Sequence, residues 1–138
     1  MASPFRYRMR VRWAECDLQG VVFYANYLVY FDIAITELWR DLLPGGYKAM
    51  LEHHGVDMVV GEATARFLGS ARFDELIDID VELTRLGTTS TTTAFTVQRG
   101  ADTLVEGELR HVYVGAGTLS KAPIPDVLRA ALAPYIRA

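Results

Sequence analysis

Asn26-Tyr27-Leu28-Val29-Tyr30-Phe31-Asp32-Ile33-Ala34-Ile35-Thr36-Glu37-Leu38-Trp39-Arg40-Asp41-Leu42-Leu43, closed by Pro44-Gly45-Gly46, is the stretch that decides the architecture of this chain. Its length suits a helix, and its polar residues Asp32, Thr36 and Arg40 recur at every fourth position with Glu37 and Asp41 beside them. Apolar side chains therefore cover most of the circumference. A helix of that kind has to be largely enclosed by the rest of the protein. Asn26 is the expected N-cap, and Pro44-Gly45-Gly46 is a strong stop.

Upstream, Phe5, Tyr7, Met9, Val11 and Trp13 alternate with Arg6, Arg8, Arg10 and Arg12, the period-2 pattern of a half-buried strand. The arginine face suits a solvated or aggregation-protected edge, and it would also attract phosphates. Ala14 to Gly20 is loop. Downstream, a short helix spans Tyr47 to His54 and ends at Gly55. Strand-like segments follow at Met58–Leu68, Ile77–Thr84, Thr88–Val97 and Thr103–Val114, with Arg99-Gly100-Ala101-Asp102 as a hairpin turn. Pro123-Ile124-Pro125-Asp126 opens a closing helix that runs to Tyr135. Strands in series make an antiparallel sheet, and the order is α+β rather than alternating βαβ. About five strands then curve around one central helix, leaving sheet edges and helix ends thinly covered, which a second copy would remedy.

The chain has 138 residues, 51% hydrophobic and 22% charged, which suits one globular domain over 1–138 and excludes collagen, coiled coil and disorder. A net charge of −3 argues against a dedicated nucleic-acid binder. Its single cysteine, Cys16, cannot form an internal disulfide. The first residues lack the apolar core of a signal peptide, and no uninterrupted apolar stretch reaches the ~18 residues of a membrane span. A soluble, cytoplasmic protein is expected.

The chemistry concentrates in Trp13-Ala14-Glu15-Cys16-Asp17-Leu18-Gln19-Gly20-Val21-Val22-Phe23-Tyr24-Ala25-Asn26-Tyr27. Here a carboxylate precedes the first turn of the enclosed helix. Unpaired N–H groups at a helix start favour negative charge, and a carbonyl oxygen on those donors would be polarised as in an oxyanion hole. Asp17 is placed to attack that carbon or to activate water. It is equally a residue that shapes turns.

The spacing Asp17-x-x-Gly20-x-Val22-x-Tyr24-x-Asn26-Tyr27, followed by Tyr30-Phe31-Asp32, resembles the 4-hydroxybenzoyl-CoA thioesterase family of hotdog-fold acyl-CoA thioesterases. Ala71-Arg72-Phe73-Asp74-Glu75-Leu76 and Leu86-Gly87-Thr88-Thr89-Ser90 extend that resemblance over nearly the whole chain. It implies a hotdog fold and hydrolysis of an aromatic or short- to medium-chain acyl thioester to free acid and thiol, with neither metal nor cofactor. Asp17 is then the nucleophile or general base, and the Tyr24 backbone N–H polarises the carbonyl. Gly20 lets the loop approach closely, and Val21, Asn26, Tyr27 and Asp32 line the substrate side. The resemblance places Asp32 against a polar group of the acyl part. Arg40 of a neighbour, or Thr36, would give it a structural partner instead. Thr88, Thr89 and Ser90 stand where some relatives carry arginine or lysine for the coenzyme A phosphates. Arg66, Arg72, Arg85 or Lys121 would have to supply charge, so the acyl carrier is either coenzyme A or a carrier protein's phosphopantetheine. A homodimer or homotetramer is implied, with no nucleic-acid or membrane partner.

The remaining reactive residues have plainer roles. His53 and His54 sit at a helix end that favours cations. His111 shares a strand face with Leu109 and Tyr113, as a hydrogen-bonded core or interface histidine would. Cys16 is a loop-packing residue, and Glu15 is the alternative activator of water. Asp32, Met50 and Met58 are expected around the acyl pocket. A hotdog dehydratase would need a histidine at the helix start, yet the first histidine is His53. A non-catalytic acyl-binding protein on the same fold is the other reading.

Overall fold

The computed structural model describes residues 4–137. Strand β1 (Phe5–Arg10) leads through a 3-10 turn at Trp13–Glu15 into helix α1 (Asn26–Leu42) and helix α2 (Tyr47–His54). Strands β2 (Val56–Phe67), β3 (Leu76–Leu86), β4 (Ser90–Arg99) and β5 (Asp102–Gly115) follow, and helix α3 (Asp126–Leu132) closes the chain with a 3-10 turn at Ala133–Tyr135. All five strands join one antiparallel sheet in the order β1-β3-β4-β5-β2.

The strands are therefore not a simple series. Only β3, β4 and β5 are successive neighbours, while β2 pairs with β5 at the far edge. The segment after β2 crosses the start of α1 to reach β3. Val22 N–H donates to Ala71 carbonyl, Ala71 N–H to Tyr27 hydroxyl, and Asp74 N–H to Val11 carbonyl. A local alternation pattern carries no information about such a crossing.

One face of α1 is sealed against the concave side of the sheet. Tyr27, Tyr30, Phe31, Ala34, Ile35, Leu38 and Trp39 are all buried. Phe31 stacks on Phe95 of β4, ring centroids 4.6 Å apart and planes 14° from parallel. Gly107 of β5 makes this approach possible, because a Cβ there would lie 2.4 Å from the Phe31 ring. Enclosure is incomplete: Leu28 and Val29 on α1 are exposed, as are Val59 and Val60 on β2.

Two expectations need correction. Asn26 is not the N-cap of α1, for the residue before it, Ala25, already has helical dihedrals of φ −64 and ψ −23. Three short-range bonds, Asn26 N–H to Phe23, Tyr27 N–H to Tyr24 and Leu28 N–H to Ala25 carbonyls, lead the chain into the helix instead. The arginines of β1, with Arg12 after it, form the solvated face of an edge strand, but they are paired rather than free to attract phosphates. Arg6 makes a bidentate pair with Asp80 and Arg8 with Asp78, while Arg10 donates to the Asp74 carbonyl and Arg12 to Glu15. The β1–β3 register sets Arg6 opposite Asp80 and Arg8 opposite Asp78. Among the described residues, no helix is long and apolar enough to cross a membrane.

Candidate active site

The loop before α1 folds back on itself. Cys16 and Val22 form an antiparallel bridge, Asp17 N–H donates to Val21 carbonyl, and Gly20 takes φ +76, which glycine adopts without a Cβ penalty. The Glu15 carbonyl ties this loop to the helix. It accepts from Phe23 N–H at 3.0 Å and from the Asn26 side-chain amide at 2.9 Å. Asn26 is thereby engaged in holding the loop.

Asp17 shapes the turn and keeps one carboxylate oxygen unengaged. Its Oδ1 accepts the Gln19 N–H at 2.8 Å and so shapes the turn. Its Oδ2 has no hydrogen-bond partner among the described residues. The side chain opens into a hollow of ≈ 440 Å³ lined by Trp13, Cys16, Asp17 and Leu18. Glu15, by contrast, is committed: Arg12 grips its carboxylate, and Tyr30 hydroxyl donates to Oε1 at 2.9 Å. Burial and that bond together push the Tyr30 pKa upward. Burial likewise raises the Cys16 pKa, the opposite of an activated thiol.

At the helix start, the Tyr24 and Ala25 N–H groups donate to no acceptor among the described residues. They are the first donors of the helical turn, where the positive end of the helix dipole lies. Tyr24 itself is 64% exposed. Tyr27 is buried, its hydroxyl accepting from Ala71 N–H and its ring 5.9 Å from that of Phe67.

Asp32 lies exposed on α1, and Thr36 is not its side-chain partner, since the Thr36 hydroxyl donates to the Asp32 backbone carbonyl instead. It borders a second cleft of ≈ 340 Å³ with Ile35, Thr36, Trp39, Tyr47, Met58, Val60 and His111. Met58 is there as expected, whereas Met50 is fully buried in the core. His111 is buried on the inward face of β5, but without the hydrogen bond expected of it: Nδ1 has no partner among the described residues.

Thr88, Thr89 and Ser90 form the turn between β3 and β4, and their carbonyls accept from Ile124, Tyr113 and Gly87 N–H groups. Of the two cations at this turn, Arg85 is among those the sequence singled out and Arg129 is not. Arg129 of α3 donates to the Gly87 carbonyl at 2.6 Å. Arg85 adjoins the same glycine, its Nε 3.6 Å from where a Gly87 Cβ would stand. No local pattern links α3 to the turn, since the chain folds back between them. The turn and the Asp17 loop lie toward opposite ends of the sheet, beside Tyr113 and Ala71 respectively. Among the described residues, no cluster of three His, Cys, Asp or Glu side chains could hold a metal.

This fold and this loop define a hotdog protein with a carboxylate at the start of its central helix. Residues 11–132 match the model of the thioesterase-like superfamily, and the chain belongs to that family of hotdog-fold acyl-CoA thioesterases. It is a thioester hydrolase. It is 33% identical over 86 residues to the acyl-CoA thioester hydrolase YbgC of Escherichia coli O6:H1, spanning 62% of this chain and 63% of that one. It is 24% identical over 129 residues to the acyl-CoA thioesterase YbgC of Haemophilus influenzae, spanning 94% of each. The crystal structure of a thioesterase-superfamily protein from Jannaschia sp. CCS1 superposes with a TM-score of 0.91 at 26% identity, covering 99% of this chain and 95% of that one.

Proposed function

We propose that this hydrolase cleaves acyl-CoA thioesters at the Asp17 loop and the start of α1. The observation that carries this is the pair of unengaged N–H groups at Tyr24 and Ala25, held next to the Asp17 loop by the Glu15 carbonyl. A thioester carbonyl oxygen accepting from Tyr24 N–H is polarised, and negative charge developing on it is stabilised there. Gly20 and Val21 form the backbone against which the thioester lies. The free Oδ2 of Asp17 attacks the carbonyl carbon, the C–S bond breaks, the thiolate takes a proton, and water then cleaves the mixed anhydride. Alternatively Oδ2 takes the proton of the water that attacks. Both routes yield free acid and coenzyme A. Thr88, Thr89 and Ser90, with Arg85 and Arg129 close by, receive the phosphates.

This reading includes a homodimer, which the exposed edge of the sheet supports. β2 is a twelve-residue edge strand with Val59 and Val60 exposed, and Trp13, Leu18, Phe23 and Tyr24 stand uncovered around the Asp17 loop. Such an edge pairs readily with another chain. Tyr24 packs on Phe67 near the end of β2, with ring centroids 6.1 Å apart. The Asp32 cleft uses Met58 and Val60 near its beginning. A two-fold axis through the middle of β2, pairing the edges antiparallel, therefore brings each Asp17 loop to the cleft and the Thr88–Ser90 turn of the partner.

Asp17→Asn tests the chemistry. It keeps the Oδ1 turn geometry but removes the attacking charge, and turnover on an acyl-CoA panel should fall at least ~10²-fold with the fold intact. Near-normal turnover would remove Asp17 from the mechanism.

A further inference from the structure

Residues 69–75, which carry the chain from β2 to β3, form a strap across the start of α1, and its backbone meets the Asp17 loop at successive residues. Ala71 carbonyl accepts from Val22 N–H at 2.9 Å, Arg72 forms an antiparallel bridge with Val21, and Phe73 N–H donates to Gly20 carbonyl at 3.3 Å. The Phe73 ring stands edge-on to Trp13, centroids 5.1 Å apart, and Trp13 lines the hollow at Asp17. Ala71 N–H donates to Tyr27 hydroxyl at 2.9 Å, so the same strap also touches the first turn of α1. Asp17 N–H in turn donates to Val21 carbonyl. A shift of the strap is therefore a shift of the loop that carries Asp17.

The strap belongs to no helix or strand. Within it Asp74 takes φ +69, the only non-glycine residue with positive φ among the described residues. Such a conformation persists where its surroundings over-determine it. Toward β1, Asp74 N–H donates to Val11 carbonyl, and the Arg10 guanidinium donates to Asp74 carbonyl. Toward the sheet, one cation takes hold of both ends of the strap. Arg99, the last residue of β4, donates from Nη1 to Ser70 carbonyl at 3.1 Å and to Glu75 Oε1 at 3.0 Å. That same Oε1 accepts from Arg72 N–H at 2.6 Å. The pair is half-buried, which spares it part of the screening that makes surface ion pairs weak. At Arg99 the β4–β5 ladder pairs with Asp102 through the backbone, so the sheet does not need the side chain's reach to the strap.

We propose that Arg99 and Glu75 are positioning residues for thioester hydrolysis: by clamping the strap they fix the Gly20, Val21 and Val22 backbone, and with it Asp17 relative to the Tyr24 N–H. The proposal rests on the reading that Asp17 and the Tyr24 N–H form the reaction centre. Neither Arg99 nor Glu75 lines the hollow at Asp17, so both act through the strap. A clamp of this kind matters more to rate than to binding, because a reacting group displaced by about 1 Å loses roughly 100-fold in rate.

The test compares Arg99→Gln, Glu75→Gln, their double variant and Arg99→Lys with the wild-type protein, by steady-state kinetics on the acyl-CoA it turns over fastest and by amide hydrogen exchange. Each glutamine variant should lower kcat at least ~10-fold while KM stays within about threefold, the split expected when reacting groups are misplaced but binding is kept. Exchange in the loop between Glu15 and Tyr24 should quicken at least ~10-fold, with β5 and α3 unchanged. The double variant should lose less than the product of the single losses, because both changes open one clamp. Arg99→Lys, still a cation beside Glu75, should recover part of kcat and of the protection. Glu75→Gln keeps an acceptor for Arg72 N–H and serves if the Arg99 variant does not fold. Arg137→Gln, which breaks the ion pair with Glu82 elsewhere on the sheet, should change neither readout. Unchanged kcat or unchanged loop exchange in the glutamine variants, losses that multiply in the double variant, or an equal kinetic loss from Arg137→Gln would overturn the proposal. Near-normal turnover of Asp17→Asn would instead strike the catalytic reading, while the hold of the clamp on the loop is read by exchange without any turnover.

Discussion

The side-chain amide of Asn26 donates to the backbone carbonyl of Glu15 at 2.9 Å, joining the first residue of α1 to the loop that carries Asp17. That carbonyl also accepts from Phe23 N–H, so one oxygen fixes the loop to the helix start from two directions.

Asn26→Ala should therefore cost about 1 kcal/mol of stability, the usual net worth of one hydrogen bond. Turnover should fall further than that, by roughly 10- to 100-fold, because a reacting group displaced by about 1 Å loses rate on that scale. Steady-state kinetics beside urea unfolding checks the disparity. A kinetic loss no larger than the stability loss would mean that the loop keeps its position without the tether.

Gly107→Ala should be strongly destabilising. The new Cβ would stand 2.4 Å from the Phe31 ring and 2.7 Å from the Thr64 carbonyl, and neither backbone nor a ring stacked on Phe95 yields easily. Overpacking of this kind costs ~1–3 kcal/mol or more. Denaturant unfolding measures it, and Phe31→Leu in the same background should recover part of the loss.

Acid should weaken the β1–β3 pair. The Arg8 hydrogen bonds hold the Asp78 pKa below the ordinary carboxylate value, against the upward pull of burial. A lowered folded-state pKa gives stability that is present above the unfolded value of about 3.9 and is lost as pH falls through the folded value. Arg8→Gln should remove that contribution at pH 6 and change little at pH 2. Urea midpoints at the two pH values decide it, and an equal loss at both would assign the effect to packing of the arginine stem.

Charging the β2 edge should separate the dimer. Val60→Lys is exposed in the protomer, 57% by surface, and so should leave its fold intact while opposing a second copy. Sedimentation velocity should show a monomer, and acyl-CoA turnover should be lost with it. A monomer retaining full turnover would show that one chain makes a whole site.

Much of the fold is legible as local periodicity. α1, β1 and α2 each repeat a short pattern between clear stops, with Gly55 closing α2 at φ +69. Strand order is not local. Nothing between Met58 and Leu68 says that β2 will lie against β5, because that placement comes from Gly69 to Glu75 crossing α1. The loop from Trp13 to Tyr27 could be read because its chemistry and its spacing share one segment. Arg129, reaching Gly87 from 42 residues away, could not. Nor could the unsatisfied state of His111, since strand alternation shows that a side chain turns inward but not whether it finds a partner there. Asp32 misleads for a related reason: an apolar helix suggested burial on all sides, and the protomer supplies only one.

The two outer strands of the sheet also govern how large an assembly can grow. β1 has six residues and carries a row of arginines locked to Asp78 and Asp80, whereas β2 has twelve and a bare apolar stretch. In the language of polymer chemistry, the protomer is monofunctional: it has one reactive end and one blocked end. Joining two such units through β2 consumes both reactive ends and leaves a ten-stranded ribbon terminated by β1 on each side. In the proposed pairing, chain growth by edge addition stops there, and a protein with a long exposed strand is kept from becoming a fibre.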